Sequence, residues 1–496
     1  MDLRKQKIVH LFNVFKLEVV LILLAFIYYL FFVNKGLVFF DEGYFAHSAE
    51  RIFNNQVPYK DFSLAYGPTY FYILAFLYEI FGPSILVGRF LSLFIGISII
   101  ISTFLILNKL KINSYKITLL TFLSLVSFGY PLINIPNVVW VNVLLALLLI
   151  LTYVFWLSNN KYRFLFIMGI LLALSISFKQ NMGLALVLLY TPLLVLAKGE
   201  PLIQKAKNLV IMHGTWIILT LSWIYYFFLM NNLQGLFDFI NYGRRFAMNT
   251  AFSYPPLTYL LQPLGFFKLL PYYLPIMLAL ILLILLFRKY RNWSILAFSL
   301  TAIVGFSVSV YPQSDLLHTY PFLGMILVSF LLLPFKSKLR YLVTAIVLIT
   351  IFTGFYLSIF MKSYRYENYY YQYDTFLNLP RTQGILVTKY TAENVKKISQ
   401  FINTYTSKKD YIFAYPYSPM LYFILERNNP SKDAMYFLRI WHFYDDKVII
   451  SEIKNKKVKY IIVDGAYRFD TDLSKFIEKQ KRVFDAGQFQ IFEIRS

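Results

Sequence analysis

The sequence predicts a polytopic α-helical membrane protein of about eleven spans with a soluble α/β domain at its C-terminal end. Hydrophobic residues make up 58% of the 496-residue chain and aromatic residues 20%. Charged residues make up only 15%, against roughly 25% in an ordinary soluble domain. Up to about residue 361 those charges sit in short stretches between long apolar runs, and beyond it they become frequent.

Covering about 30 Å of hydrocarbon takes roughly 17 to 23 apolar helical residues. Runs of that kind lie near 17–33, 84–107, 117–133, 138–157, 163–178, 182–197, 208–230, 269–287, 293–311, 317–335 and 340–360. The first follows Arg4, Lys5, Lys7 and Lys16, as a signal peptide would, but no small-residue cleavage site comes after Val33, so an uncleaved anchor is expected.

Lys109, Lys111 and Lys116 share one loop, Lys161 and Arg163 the next, then Lys198, Lys205 and Lys207. Arg288, Lys289 and Arg291 follow, then Lys336, Lys338 and Arg340. The positive-inside rule puts these alternate loops and the N-terminus in the cytoplasm. An odd number of spans then places the loops 34–83 and 231–268 and the tail 362–496 outside. The net charge of +23 is thereby explained by topology, with the lipid bilayer and no nucleic acid as partner. The absence of cysteine excludes disulfides, thiol catalysis and thiolate metal sites.

Two domains are expected: a transmembrane domain over 1–361, including the first external loop 34–83, and an extracytoplasmic α/β domain over 362–496. In the tail, Ile385–Thr388, Tyr411–Ala414, Tyr460–Val463 and Phe489–Ile494 have the character of strands. Ala392–Tyr405 and Asp472–Lys481 have helical spacing. The tyrosine-rich stretch from Tyr364 to Tyr373 suits an interfacial connector.

Acids are scarce before residue 362, numbering ten. Asp41 and Glu42 stand out among them, because adjacent carboxylates at a membrane surface are costly unless solvated, paired or used. The pair could equally mark the interface or favour the N-terminus of a helix over about 44–54. They open a longer pattern: Asp41-Glu42-Gly43-Tyr44, Ala49-Glu50-Arg51-Ile52, Pro58-Tyr59-Lys60-Asp61-Phe62, Gly67-Pro68, Phe81-Gly82 and Arg89.

This pattern resembles the first extracytoplasmic loop and second span of the GT-C superfamily of lipid-phosphate-sugar glycosyltransferases, especially the protein O-mannosyltransferase and aminoarabinose transferase (family 39-like) group. The resemblance covers about residues 15–110. Further on it rests on architecture and on Pro416-Tyr417-Ser418-Pro419, Tyr422-Phe423 and Asn429-Pro430. It implies that Asp41 is the catalytic base. An acceptor hydroxyl would attack the anomeric carbon of a sugar on a polyprenyl phosphate, and the phosphate would leave from the opposite face with inversion. The acceptor would be a protein, a glycolipid or a polysaccharide. Glu42 would orient the acceptor or Asp41, or would only pair with Arg51 or Arg89.

A departing lipid phosphate calls for cations near the outer face. Lys179, in the polar break Phe178-Lys179-Gln180-Asn181, and the external pair Arg244 and Arg245 qualify. Lys179 could instead snorkel to the headgroups, and the arginines could hold bulk lipid phosphate. Tyr59 and Arg89 join the binding candidates, although Arg89 equally suits a structural pairing. Asp315 and His318, three apart in an external turn, would share one helical face and could meet sugar hydroxyls, phosphate or a metal, or could cap and pack.

Many relatives carry an acid in the next external loop, where this chain has Asn134 and Asn137. With so few carboxylates, no divalent metal and no other cofactor are expected. No P-loop, GxGxxG after a strand or HExxH is present, which disfavours a nucleotide-sugar donor. The alternative from another class is a transporter or flippase of lipid-linked saccharides. That would call for paired broken helices and ionisable groups near the midplane, whereas here the charges gather at one face.

Overall fold

The computed structural model describes residues 3–129, 134–238, 240, 256–262, 265–286, 292–310, 316–360, 370–434, 436, 446–467 and 470–494. The chain divides into two compact units. Unit one comprises residues 1–30, 92–229 and 247–364, and unit two comprises 31–91, 230–246 and 365–496. The first loop and the tail, far apart in sequence, therefore belong to one body.

Unit one is helical. Its elements are α1 (Leu3–Val33), α4 (Ile85–Lys109), α5 (Tyr115–Ser127), α6 (Val138–Asn159), α7 (Tyr162–Phe178), α8 (Gln180–Leu196), α9 (Leu202–Leu229), α10 (Gly265–Leu286), α11 (Trp293–Val310), α12 (Leu316–Thr319), α13 (Leu323–Leu332) and α14 (Ser337–Phe360). The unit boundaries fall within α1 and α4. Every expected span contains helix. Six helices among the described residues are long and apolar enough to cross a bilayer, and further apolar helices are shorter. The run expected over 317–335 is divided between α12 and α13 at Pro321, which lacks the N–H a continuing helix requires.

Several polar side chains that enter these helices bond to one another or to the backbone, which suits a solvent without hydrogen-bonding capacity. Ser175 donates to Asn142 Oδ1 at 2.9 Å, Tyr153 donates to the Leu193 carbonyl at 3.1 Å, and the hydroxyls of Tyr190 and Thr301 lie 3.1 Å apart.

Unit two contains α2 (Asp41–Phe53), α3 (Thr69–Phe81), the start of α4, and an α/β region. That region comprises β1 (Thr375–Phe376), β2 (Leu386–Val387), α15 (Lys389–Tyr405), β3 (Ile412–Tyr415), α16 (Met420–Leu425), α17 (Asp446–Asn455), β4 (Tyr460–Asp464), α18 (Asp472–Glu478), β5 (Lys481–Ala486) and β6 (Phe489–Glu493). The main sheet has the order β3-β4-β6-β5, with β3 and β4 parallel and the other pairs antiparallel. Alternate strand residues point to opposite faces. Ile462 and Ile491 pack with Ile398 and Ile402 of α15. Phe413 and Ile461 pack with Ile449 of α17 and Leu473 of α18. Both faces are covered, and all four residues of β3 are buried.

Two features differ from the sequence expectation. Lys481 starts a strand and does not end a helix: α18 stops at Glu478, and β5 and β6 form a hairpin through Gly487-Gln488, where Gly487 takes φ +60°. The weak alternation of Lys-Arg-Val-Phe-Asp-Ala hid the strand. The first loop also holds α3, a 13-residue apolar helix too short to span a bilayer. Its Phe76, Ile80 and Phe81 are exposed, which suits a helix lying at a membrane surface.

Candidate functional site

The site assembles around α2. The chain entering it is held straight by backbone bonds: Gly36 N–H donates to the Leu386 carbonyl, Leu386 N–H to the Asn34 carbonyl, and Met420 N–H to the Phe39 carbonyl. Asp41 and Glu42 occupy the first turn, where the helix dipole favours negative charge. Residues 42–51 are all buried, so α2 is a core helix despite its polar sequence. Gly43 permits this, because a Cβ there would lie 2.2 Å from the backbone nitrogen of Met420.

The two adjacent carboxylates have different surroundings. Glu42 is 1% exposed, and Arg89, 0% exposed, grips it with Nε donating to Oε1 at 2.5 Å and Nη2 donating to Oε2 at 2.8 Å. Arg89 also donates to the carbonyls of Val33, Lys35 and Gly36, and Val38 N–H donates to Glu42. Of the partners expected for Glu42, the structure selects Arg89. This bidentate pair ties the loop entry, α2 and the start of α4 together.

Asp41 is partly exposed. Beside it Phe40 meets the Tyr417 ring edge-on at 5.3 Å, and Tyr417 meets Tyr467 at 4.9 Å. Tyr417 follows β3 and Tyr467 follows β4, at the C-terminal ends of the parallel pair, where α/β sheets commonly build sites. Partial burial pushes the Tyr417 hydroxyl up to about 12, so it stays protonated.

The far end of α2 carries a network in which Arg51, expected from the sequence as a possible partner of Glu42, bonds elsewhere. His47 Nδ1 lies 3.2 Å from Glu50 Oε2, and its ring stacks on Tyr422 at 4.9 Å. Arg381 pairs with Glu50 and donates to the Phe423 carbonyl at 2.8 Å. Arg51 donates to Gln56 Oε1 and to the carbonyls of Ser431 and Asp61. Burial lowers the Arg51 guanidinium to about 10, still charged at neutral pH. The available signal was the placement of His47, Glu50 and Arg51 at helical spacings of three and four.

Tyr59, a binding candidate, faces inward. It is 9% exposed with φ +65°, and its hydroxyl donates to the Tyr66 carbonyl at 3.1 Å. Lys179 lies in unit one at the break between α7 and α8. It is 9% exposed, and its carbonyl accepts from the N–H groups of Met182 and Gly183. His318 is buried on α12, also in unit one. Arg244, Arg245 and Asp315 lie outside the described residues, as does most of the tyrosine-rich connector. No group of three or more His, Asp or Glu that could hold a metal occurs among the described residues.

The chain shares its fold with solved structures of ArnT from Cupriavidus metallidurans. ArnT from Cupriavidus metallidurans bound to undecaprenyl phosphate matches with a TM-score of 0.59 at 13% identity, covering 96% of this chain and 97% of that one. Its apo state matches with a TM-score of 0.60 at 12% identity over the same shares. An oligosaccharyltransferase from Archaeoglobus fulgidus in complex with zinc and sulfate is 12% identical over 90% of this chain and 68% of that one, with a TM-score of 0.46. No protein-family model matches the sequence, and neither does any curated protein.

Proposed function

We propose that this chain is an inverting glycosyltransferase that moves a sugar from a polyprenyl-phosphate donor to a hydroxyl acceptor on the extracytoplasmic face. The observation that carries the reading is the contrast within the acidic pair. Glu42 is immobilised by Arg89, whereas Asp41 is partly exposed on a rigid helix N-terminus. It supports this reading because the end-to-end likeness to ArnT belongs to a protein solved with undecaprenyl phosphate.

Asp41 takes the proton of the acceptor hydroxyl as its oxygen forms a bond to the anomeric carbon. The bond from that carbon to the phosphate oxygen breaks on the opposite face, and the electron pair leaves with the lipid phosphate. Asp41 stands in the first turn of α2, where the helix dipole favours negative charge. Glu42 and Arg89 act as positioning residues by fixing the turn that carries Asp41. Lys179, His318, Arg244, Arg245 and Asp315 are assigned to the donor phosphate and sugar from their places in the sequence. Tyr417 and Tyr467 offer aromatic faces to the acceptor. No divalent metal enters this scheme.

The test measures transfer of radiolabelled sugar from polyprenyl-phosphate donors in membranes holding wild type or Asp41→Asn at equal abundance. Loss of the base lowers transfer by about 10² or more, and wild-type transfer persists in chelator. Full activity of the variant removes Asp41 from the base role. Chelator-sensitive transfer that magnesium or manganese restores overturns the metal-free scheme.

A further inference from the structure

Unit two holds a second polar feature that the proposed reaction does not use. Among the described residues, the C-terminal half of α2 and loops of the α/β region enclose a cavity of about 730 Å³ that Asp41 does not line. His47 lies six residues beyond Asp41, about 9 Å along the helix axis. Seven basic and four acidic side chains line the cavity, an excess of three positive charges.

The acids are already engaged within the protein. Glu50 holds His47 and Arg381, Asp61 accepts the Val57 N–H at 2.7 Å, Glu426 holds Lys408, and Glu452 accepts from Ser431. Lys60, Lys432 and Lys456 remain as an exposed basic rim. Asn54, Gln56, Asn428 and Asn429 add amides, and Tyr411 adds an aromatic face. His47 is 3% exposed, and its Nε2 is buried with no hydrogen-bond partner among the described residues. A buried polar atom in that condition calls for a ligand or a water.

We propose that this cavity binds an anionic saccharide, a short glycan bearing carboxylate or phosphate groups, separately from the centre at Asp41. The volume is that of a small-molecule site and exceeds what a lone phosphate fills. Its polar lining excludes a lipid chain. The rim lysines meet the anionic groups, while the amides and His47 Nε2 meet hydroxyls. Insofar as the chain is a transferase, the occupant is a non-reacting part of the acceptor, and its binding energy orients the reacting hydroxyl. That last step rests on the proposed function, whereas the binding itself does not.

The experiment titrates full-length protein in phosphatidylcholine nanodiscs with tetragalacturonate, glucose 6-phosphate and neutral maltotetraose, using calorimetry. At least one anionic probe binds and maltotetraose does not. Lys60→Glu/Lys432→Glu, two exposed positions, weakens that binding by about tenfold or more. Lys479→Glu, away from the cavity, and Asp41→Asn leave it unchanged. Retained binding with absent sugar transfer would sink the transferase reading alone. Equal binding of maltotetraose, no binding of either anion, or wild-type affinity in the double variant overturns the site. Loss of binding when phosphatidylglycerol replaces phosphatidylcholine assigns the cavity to a lipid headgroup and overturns the saccharide.

Discussion

Two neighbouring carboxylates, identical in net charge, have different surroundings: Glu42 is buried against the Arg89 guanidinium, and Asp41 is partly exposed. Glu42 and Arg89 are both essentially inaccessible, so truncating either leaves an uncompensated buried charge. Arg89→Ala therefore costs about 3–5 kcal/mol, read as a lower midpoint of thermal unfolding in detergent. A midpoint within error of wild type would show the pair to be dispensable. His47 adds a pH dependence of its own. Burial holds its imidazole below the ordinary value near about 6.5, against the upward pull of Glu50. The unfolded chain then binds this proton at higher pH than the folded one, so its contribution is present above about 6.5 and is lost as pH falls below. His47→Gln flattens the dependence of stability on pH between about 7 and 5. An unchanged slope would remove His47 from that titration.

At the scale of elements, α2 is a polar sequence buried as a core helix, and its burial depends on what lies against it. Gly43 faces the first residue of α16, and a Cβ would collide with backbone nitrogen and Cα, which cannot rotate aside as a side chain could. Gly43→Ala forces α2 and α16 apart and lowers stability by about 1–3 kcal/mol. Because Asp41 lies two residues away, sugar transfer falls with it. The measurements are the unfolding midpoint and the transfer rate of the same preparation, and wild-type values in both would show that the helices have room to shift. The β5–β6 hairpin contrasts with this, since its register is set locally by a two-residue turn through Gly487.

At the scale of the whole molecule, we propose from the arrangement of basic loops that the N-terminus lies in the cytoplasm and the α/β region outside. The chain has no cysteine, so an introduced thiol is the sole one and reports its side directly. In spheroplasts, Lys475→Cys, at an exposed position of α18, reacts with a membrane-impermeant maleimide, while Lys198→Cys reacts only after lysis. The reverse pattern would place the α/β region in the cytoplasm and move the proposed chemistry with it.

Much of the architecture was legible because a bilayer imposes long apolar runs and a charge asymmetry that sequence records directly. The runs near 84–107 and 138–157 became helices Ile85–Lys109 and Val138–Asn159 within two residues at each boundary. Strands β3, β4 and β6 showed for a similar reason, being short apolar runs buried in a sheet. The acidic pair was visible because carboxylates are rare in such a chain. What only the tertiary structure decided was which carboxylate is clamped, which is partly exposed, and that residues near 47 and near 430 enclose one cavity. Those facts depend on contacts between segments some 380 residues apart, such as Arg51 with the Ser431 carbonyl. Local periodicity carries no information about pairings at that separation, and burial, which sets the behaviour of each charge, exists only once they have formed.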